Sequence, residues 1–481
     1  MSRPQTAKPS AMHVCETYFT ALEHYFPGFW EKVSGFKDPR KVPGRCRYSI
    51  GDIVGACLMR CFSLLDSHRK LDGVFGDGNP VFLENFRRLT GGAATSFPRG
   101  ETINYLLADL DTGELAGLLD WMCMSLAKGK VLEDCREGLG RTFMVAGDGT
   151  GLFSTVVELP HSTRRTRRDG SVASCVYVLM MAFVSPGGCV VPFHVEFIEN
   201  GEDFNPEFDK QDCEHKALVK AIDAILGRHP RLGCTFLLDA LSLDYTIMSK
   251  CLEKGCDFVI SYRSGSVPGL DRAIAACMAD GERHWTMKDT RTEDGRTVTL
   301  EYAWCRVSYV FGKAGEDGGT GFPVHYARLR RTEKGRDGAA TVREYERITD
   351  HAVNRRSVAA FFDDMGRTRW CEENQGFNEM KNLGLGIGHA CGCTGDAVVN
   401  HFLLMMITFV IMQLAGKTDL YGTLSGQAGE TGGSSRRLSL RAAFMNLAVI
   451  GQRFLERIRT GLVCLKDAAG MKNLRVRWAT G

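Results

Sequence analysis

The chain has almost no net charge. Its 60 lysines and arginines face 57 aspartates and glutamates, leaving +3 over 481 residues, so the overall balance singles out neither nucleic acid nor an acidic membrane as a partner. A dense cysteine framework is also missing. The 18 cysteines are scattered through apparent helices and strands, which excludes a small disulfide-bonded scaffold and reads as reduced core thiols. The opening stretch MSRPQTAKPSAMHV carries no apolar run of signal-peptide length, so a cytoplasmic location is expected. One long apolar run exists, Ala397 to Leu414, interrupted by Asn400, His401 and Gln413. It is expected to be a buried core helix, with no membrane partner. No Gly-Lys-Ser/Thr follows GEDGGTG, which removes a nucleotide cofactor. HACGC (His389 to Cys393) lacks the paired Cys spacing of a structural zinc site.

What is present has a clear order. Residues 1–137 read as a helical N-terminal region, with apolar residues at helical spacing in DIVGACLMRCFSLL and ETINYLLADLDTGELAGLLDWMCMSLA. Asn79-Pro80 and Gly91-Gly92 punctuate it, and Pro98 before Glu101 and Thr102 marks a helix start. In 138–262, RTFMVAGDGTGLF, SCVYVLMMAFVSP and CVVPFHVEFI read as three antiparallel strands. They are followed by a helix in CEHKALVKAIDAIL, the buried strand CTFLLDA, a helix in DYTIMSKCLEKG and the buried strand CDFVISY. Three strands and then alternating helix and strand make an α/β order. It matches a ribonuclease H-like layout with a mixed sheet, in which acids from the first strand, the fourth strand and a later helix meet at one edge.

Residues 263–350 turn β-like again (HWTMKD, TVTLEYAWCRVSYVF, PVHYARLRR, TVREYERIT) and are expected to form an inserted β subdomain. Helical character returns over 351–415. In 416–481, GQAGETGGSS reads as a linker before a basic helical C-terminal region, with ten basic residues from Arg436 to Arg477 against Glu456 and Asp467.

Two acids end apolar runs. Asp148 closes FMVAG and is followed by Gly149-Thr150, while Asp239 closes TFLLD. Hard oxygen ligands at the ends of neighbouring strands suit a divalent cation. Either residue taken singly also suits a helix cap or a turn. A third acid comes from RWCEENQGFNEMKN, where Glu373 follows Arg369 by one helical turn and Lys381 lies further on. Glu372 competes with Glu373 for that role, and the same segment also suits a solvated helix face with an ordinary ion pair.

With VAGDGTGL, FLLDALSLDYTIM and GRTRWCEENQGFNEMKNLGLGIGHACG in view, the chain resembles the insertion-sequence DDE transposases, whose catalytic core is ribonuclease H-like with a β insertion before the Glu. The likeness covers about residues 45–415. Spacing agrees, with 91 residues from Asp148 to Asp239 and 134 from there to Glu373. Gly366 stands where relatives carry Tyr, Glu372 where an apolar residue is usual, and Met380 where some carry the Lys, with Lys381 beside it.

The resemblance implies that Asp148, Asp239 and Glu373 hold two Mg²⁺ ions, with Mn²⁺ able to substitute. It also implies in-line cleavage of DNA element ends, strand transfer into target DNA, and a homodimer that brings two ends together. The N-terminal helices would help bind the ends. The polyanion would be held by Arg164, Arg165, Arg167 and Arg168 in HSTRRTRRDG, by Arg328, Arg330 and Arg331, by Arg369 and Lys381, and by the basic tail. Two alternatives stay open: a domesticated DNA-binding or regulatory protein with the same fold, and a stand-alone metal-dependent nuclease.

Overall fold

The computed structural model describes residues 14–137, 142–199, 210–281, 283–293, 295–309, 323–334, 339–382, 385–417, 440–463 and 465. The expected loops KAGEDGGTG and EKGRDGA fall wholly or mostly outside these residues. So do the linker GQAGETGGSS and much of the basic tail. Contacts divide the chain into two units. One comprises Met1–Val131, Leu152–Val176 and Phe377–Ala479; the other comprises Leu132–Gly151, Tyr177–Gly376 and Thr480–Gly481.

The first unit is mainly helical. It begins with α1 (Val14–Tyr25), α2 (Phe29–Ser34), α3 (Ile50–Phe62), α4 (His68–Phe75), α5 (Pro80–Thr90), α6 (Gly100–Asp109) and α7 (Thr112–Lys128). Local chemistry sets the boundaries. Ser49 and Asp52 form a capping box at the start of α3, and Asn79 accepts from the Phe82 amide with Pro80 at the first helical position of α5. The long stretch from Glu101 to Ala127 is two helices, because Asp111 caps a new start by accepting from the Gly113 amide at 2.9 Å.

The second unit is built on a sheet. Its elements are β1 (Phe143–Thr155), β2 (Thr163–Thr166), β3 (Val172–Val184), β4 (Val190–Ile198), α8 (Lys210–Arg228), β5 (Cys234–Leu238), α9 (Tyr245–Glu253) and β6 (Asp257–Tyr262). These are followed by α10 (Pro268–Ala279), β7 (His284–Glu293), β8 (Arg296–Ser308), β9 (Pro323–Lys334) and β10 (Ala340–Thr349). The β2 hairpin and the adjoining ends of β1 and β3 count with the helical unit. The strands make one ten-stranded mixed sheet in the order β2-β3-β1-β5-β6-β10-β9-β8-β7, with β4 also pairing along β3. β1, β5 and β6 are parallel neighbours, whereas β10 joins β6 antiparallel. The chain is therefore α/β with a mixed sheet.

The segment 263–350, expected as an inserted β subdomain, supplies four strands of the same sheet: β10 pairs along the edge of β6, and β9, β8 and β7 follow it. The segment also contains a helix, α10, opened by Pro268.

After the sheet come α11 (Val358–Ala360), two π-helical turns at Phe361–Gly366 and Glu372–Phe377, α12 (Asn378–Asn382), α13 (Ala397–Lys417) and α14 (Leu440–Thr460). Among the described residues α13 alone is long and apolar enough to cross a membrane, and most of it is buried inside the protein. It is apolar on every side and packs against α1, α3, α6 and α7 within the helical unit. The polar interruptions of its run are used in that packing. Asn400 donates to the carbonyls of Leu107 and Leu110 (2.9 and 2.7 Å), which the end of α6 leaves unpaired, and Nε2 of His401 meets Oδ1 of Asn104 at 2.7 Å.

Candidate active site

Parallel pairing brings the two aspartates together. Phe143 pairs with Cys234 and Ala146 with Leu237, an offset of 91 residues, which is also the spacing of Asp148 and Asp239. The register ends there, and Asp148, still on β1, and Asp239, just past the end of β5, line one small pocket. The first five residues of β1 are buried and burial slackens from Asp148 onward. β1 does not end at Asp148, as the sequence suggests; it runs through to Thr155, and Asp148 lies where the strand leaves the core.

Asp239 follows the last buried residue of β5 and caps the short turn Ala240–Ser242. Its Oδ1 accepts from the amides of Leu241 (3.1 Å) and Ser242 (3.2 Å) and from the Ser242 hydroxyl (3.0 Å). These three bonds engage one carboxylate oxygen and fix the orientation of both. The turn-forming role and a ligand role are thus compatible in one side chain.

Around Asp148 the charges are crowded. Its carboxyl is pushed up to about 6, first by burial and then by Asp239, Glu214 and Glu373, against the opposing pull of Arg369. Nη1 of Arg369 lies 3.6 Å from Oδ1 of Asp148, and both side chains are largely buried. Asp239, Glu373 and Arg369 therefore all bear on Asp148.

Glu372 and Glu373 have different surroundings. Glu373 is half-buried, whereas Glu372 is completely buried and neither of its carboxylate oxygens has a hydrogen-bond partner. Burial pushes the Glu372 carboxyl well above the ordinary range, Asp148 pushes it further, and Arg369 pulls it back. Both glutamates belong to a π-helical turn, a local widening frequent at functional sites.

Sequence reasoning passed over Glu214. It lies on α8 and lines one small pocket with Gly147, Asp148, Asp239, Leu241 and Ser242. Nothing in the pattern of CEHKALVKAIDAIL marks it, because its position depends on how α8 lies against the sheet.

The basic residues divide between the units. Arg164 and Arg165 lie on β2, and Arg167 and Arg168 open the tight turn to β3, closed by the Arg167 amide donating to the Ser171 carbonyl at 2.7 Å. Arg165, Arg167 and Arg168 are exposed, while Arg164 pairs with Glu158. This hairpin belongs to the helical unit, as does Lys381, which is exposed on α12. Arg331 is committed to Glu293 and Glu333, and Arg330 pairs with Glu344 at 3.5 Å. In the basic tail, Arg457 bonds Glu16 at 2.7 Å and Arg459 bonds Asp77, so these two fasten α14 within its own unit. His389 is exposed in a turn, its amide donating to the Gly386 carbonyl at 2.9 Å.

Among the described residues, the one group whose ligand atoms are close enough together to hold a metal lies elsewhere and does not include Asp148, Asp239 or Glu373. One ligand atom from each of Asp257, Asp350 and His351 lies within 4.8 Å of the others. Asp257 begins β6 beside Thr235, the second residue of β5, so this group sits roughly 13 Å along the strand from Asp239. Oδ1 of Asp350 accepts from the Phe258 amide at 2.9 Å, and Nε2 of His351 lies 3.8 Å from Asp257 and 3.3 Å from the Thr235 hydroxyl. These contacts staple the end of β10 to the start of β6.

The acids around Asp148 offer carboxylate oxygens, the donor type that Mg²⁺ and Mn²⁺ prefer, with His215 lining the same pocket. Burial and the neighbouring acids push the Asp148 carboxyl up against the pull of Arg369, and both oxygens of Glu372 are buried without a hydrogen-bond partner. No family model matches the chain, and no curated protein matches it.

Proposed function

We propose that the chain is a DDE-type transposase of an insertion sequence, an endonuclease and strand transferase that works through a ribonuclease H-like core. The observation that carries the reading is the electrostatic convergence of Asp148, Asp239, Glu373 and Arg369 at the place where β1 leaves the core. Asp148, Asp239 and Glu373 would hold two Mg²⁺ ions, or Mn²⁺ in their place. When bound, the ions supply Lewis-acid polarisation of the phosphodiester and a hydroxyl nucleophile at neutral pH.

The protein's own groups have separate tasks. Arg369, held beside Asp148, is placed to bind a non-bridging phosphate oxygen and orient the scissile bond. The cap that Asp239 makes on its own turn keeps its carboxylate from rotating. Glu372, completely buried with no hydrogen-bond partner on either oxygen, is given no ligand role. The partner is DNA, both element ends and target, and synapsis of two ends calls for a homodimer. The exposed Arg165, Arg167 and Arg168 on the β2–β3 turn are suited to phosphate contacts that set position without reading sequence.

The test is cleavage of a DNA fragment carrying the inverted repeats that flank the gene. Full-length protein should cut at the repeat ends with Mg²⁺ or Mn²⁺ and not with EDTA. Asp239→Asn should bind the fragment and leave it uncut. Binding without cutting by the wild type in either metal favours a domesticated DNA-binding protein.

A further inference from the structure

Arg347 is a buried arginine on β10, only 6% exposed. Its Nη1 donates to the Glu346 carbonyl at 2.7 Å and its Nη2 to the Gly366 carbonyl, so its donors are spent on backbone oxygens. Among the described residues no acid forms an ion pair with it, and burial, followed by the like charge of Arg369, lowers its guanidinium to about 10. A buried charge kept without a carboxylate costs stability that an apolar side chain of similar size would not. A role in the neighbouring site accounts for its place better than a role in holding the fold.

The segment that Arg347 grips leads to Arg369. Gly366 closes the π-helical turn Phe361–Gly366, and a β-carbon there would fall 2.8 Å from Cδ1 of Phe362, so the glycine lets the turn close against that ring. From it the chain runs through three successive tight turns. The amides of Trp370, Cys371 and Glu372 donate to the carbonyls of Arg367, Thr368 and Arg369 at 3.2, 2.9 and 3.1 Å. The Arg369 guanidinium itself has little to hold it: Asp148 at 3.6 Å, the Trp370 ring at 5.6 Å, and an Nε that is buried with no hydrogen-bond partner. Its aim therefore depends on the main chain that carries it.

We propose that Arg347 is a positioning residue for phosphoryl transfer: by holding the Gly366 carbonyl it fixes the start of the turns that aim the Arg369 guanidinium at the scissile phosphate. The inference rests on the reading of Arg369 as the phosphate-binding group of the candidate site. Arg347 acts through Arg369 and touches neither DNA nor metal. Its grip on two carbonyls at once uses the planar fork of a guanidinium, which the point charge of a lysine reproduces only in part.

The experiment is a double-mutant cycle on single-turnover cleavage of a fragment carrying the flanking inverted repeats, with full-length protein in excess and Mg²⁺ present. Circular dichroism and melting curves show that each variant is folded, and a binding titration gives its DNA affinity. Arg347→Met should slow cleavage about 10- to 100-fold with affinity unchanged, the scale on which a misplaced orienting group acts. Arg347→Lys, which keeps the charge and one donor, should recover part of that loss. In the Arg369→Ala background Arg347→Met should cost less than about twofold, because the group it positions is gone. A wild-type rate for Arg347→Met, or the same loss in both backgrounds, as a general weakening of the fold would give, would overturn the role of Arg347 and leave the site standing. No cleavage by the wild type would overturn the reading of the site and this role with it. If Arg347→Met fails to fold, Arg347→Lys takes its place in the cycle and the same comparison decides.

Discussion

Arg369 holds a guanidinium nitrogen 3.6 Å from Oδ1 of Asp148, and it is the cation that opposes burial and three neighbouring acids at that carboxyl. The pair ties the segment before the glutamate turn to β1. Arg369→Ala should slow end cleavage about 100-fold at saturating DNA, the usual scale for losing a charged group aimed at a reacting phosphate. DNA affinity should change much less. A cleavage time course at saturating fragment reads the rate, and an unimpaired rate would reduce Arg369 to an ion-pair partner of Asp148.

Asp148 should lower the stability of the metal-free protein. Its carboxyl titrates near 6 in the fold against an ordinary 3.8. The folded state therefore keeps the proton longer, and the stability this group contributes is present below pH 3.8 and lost as pH rises through 6. At pH 7, Asp148→Asn should raise metal-free stability by about 1–3 kcal/mol. Mg²⁺ should stabilise the wild type and leave the variant unchanged. Urea melts with and without Mg²⁺ measure both effects, and a less stable Asp148→Asn would contradict them.

Glu372 and Glu373 are adjacent but should behave oppositely. Glu373→Gln should abolish cleavage. Glu372→Gln should keep most of it, and Glu372→Leu should stabilise the fold by about 1–3 kcal/mol, since it removes a buried acid whose oxygens are unpartnered. Cleavage assays of the two Gln variants settle the assignment; the reverse pattern would move the ligand to Glu372.

The helical unit should carry its own pH dependence. His68 is pushed down to about 4, mainly by burial, and His401 well below its usual range for the same reason. Their ring centroids lie 4.7 Å apart with the planes tilted by 53°, and neither nitrogen of His68 has a hydrogen-bond partner. Because the unfolded chain takes protons near pH 6.5 while the folded His68 waits until about 4, stability falls as pH drops through that window. His68 alone accounts for roughly 2–3 kcal/mol. Denaturation at pH 7.5 and 4.5 should show a smaller difference for His68→Gln than for the wild type. An equal difference would mean that another group titrates.

Much of this arrangement was legible in the sequence because it rests on local pattern. FMVAGD and TFLLD are apolar runs that stop at an acid, and their spacing of 91 residues equals the offset at which β1 and β5 pair in parallel. Asn79-Pro80 marks the start of α5 through capping chemistry alone. What stayed hidden depends on packing. That β1 continues past Asp148 follows from sheet pairing and not from hydrophobicity. The pairing of β10 with β6 joins residues far apart in the chain, so one continuous sheet could not be told from a separate subdomain. Glu214 carries no motif at all. Its only trace is Gly149, whose missing side chain makes sense once α8 is in place.

The central claim is that one carboxylate group both cuts DNA and joins it, and strand transfer tests this most directly. A pre-cut element end bearing a free 3′-hydroxyl is incubated with supercoiled plasmid, Mg²⁺ and the full-length protein, and covalently joined products are scored on a denaturing gel. The account predicts joined products from the wild type and none from Asp148→Asn, Asp239→Asn or Glu373→Gln, each of which still binds the end. Cleavage without joining by the wild type, or joining that survives all three substitutions, would contradict it.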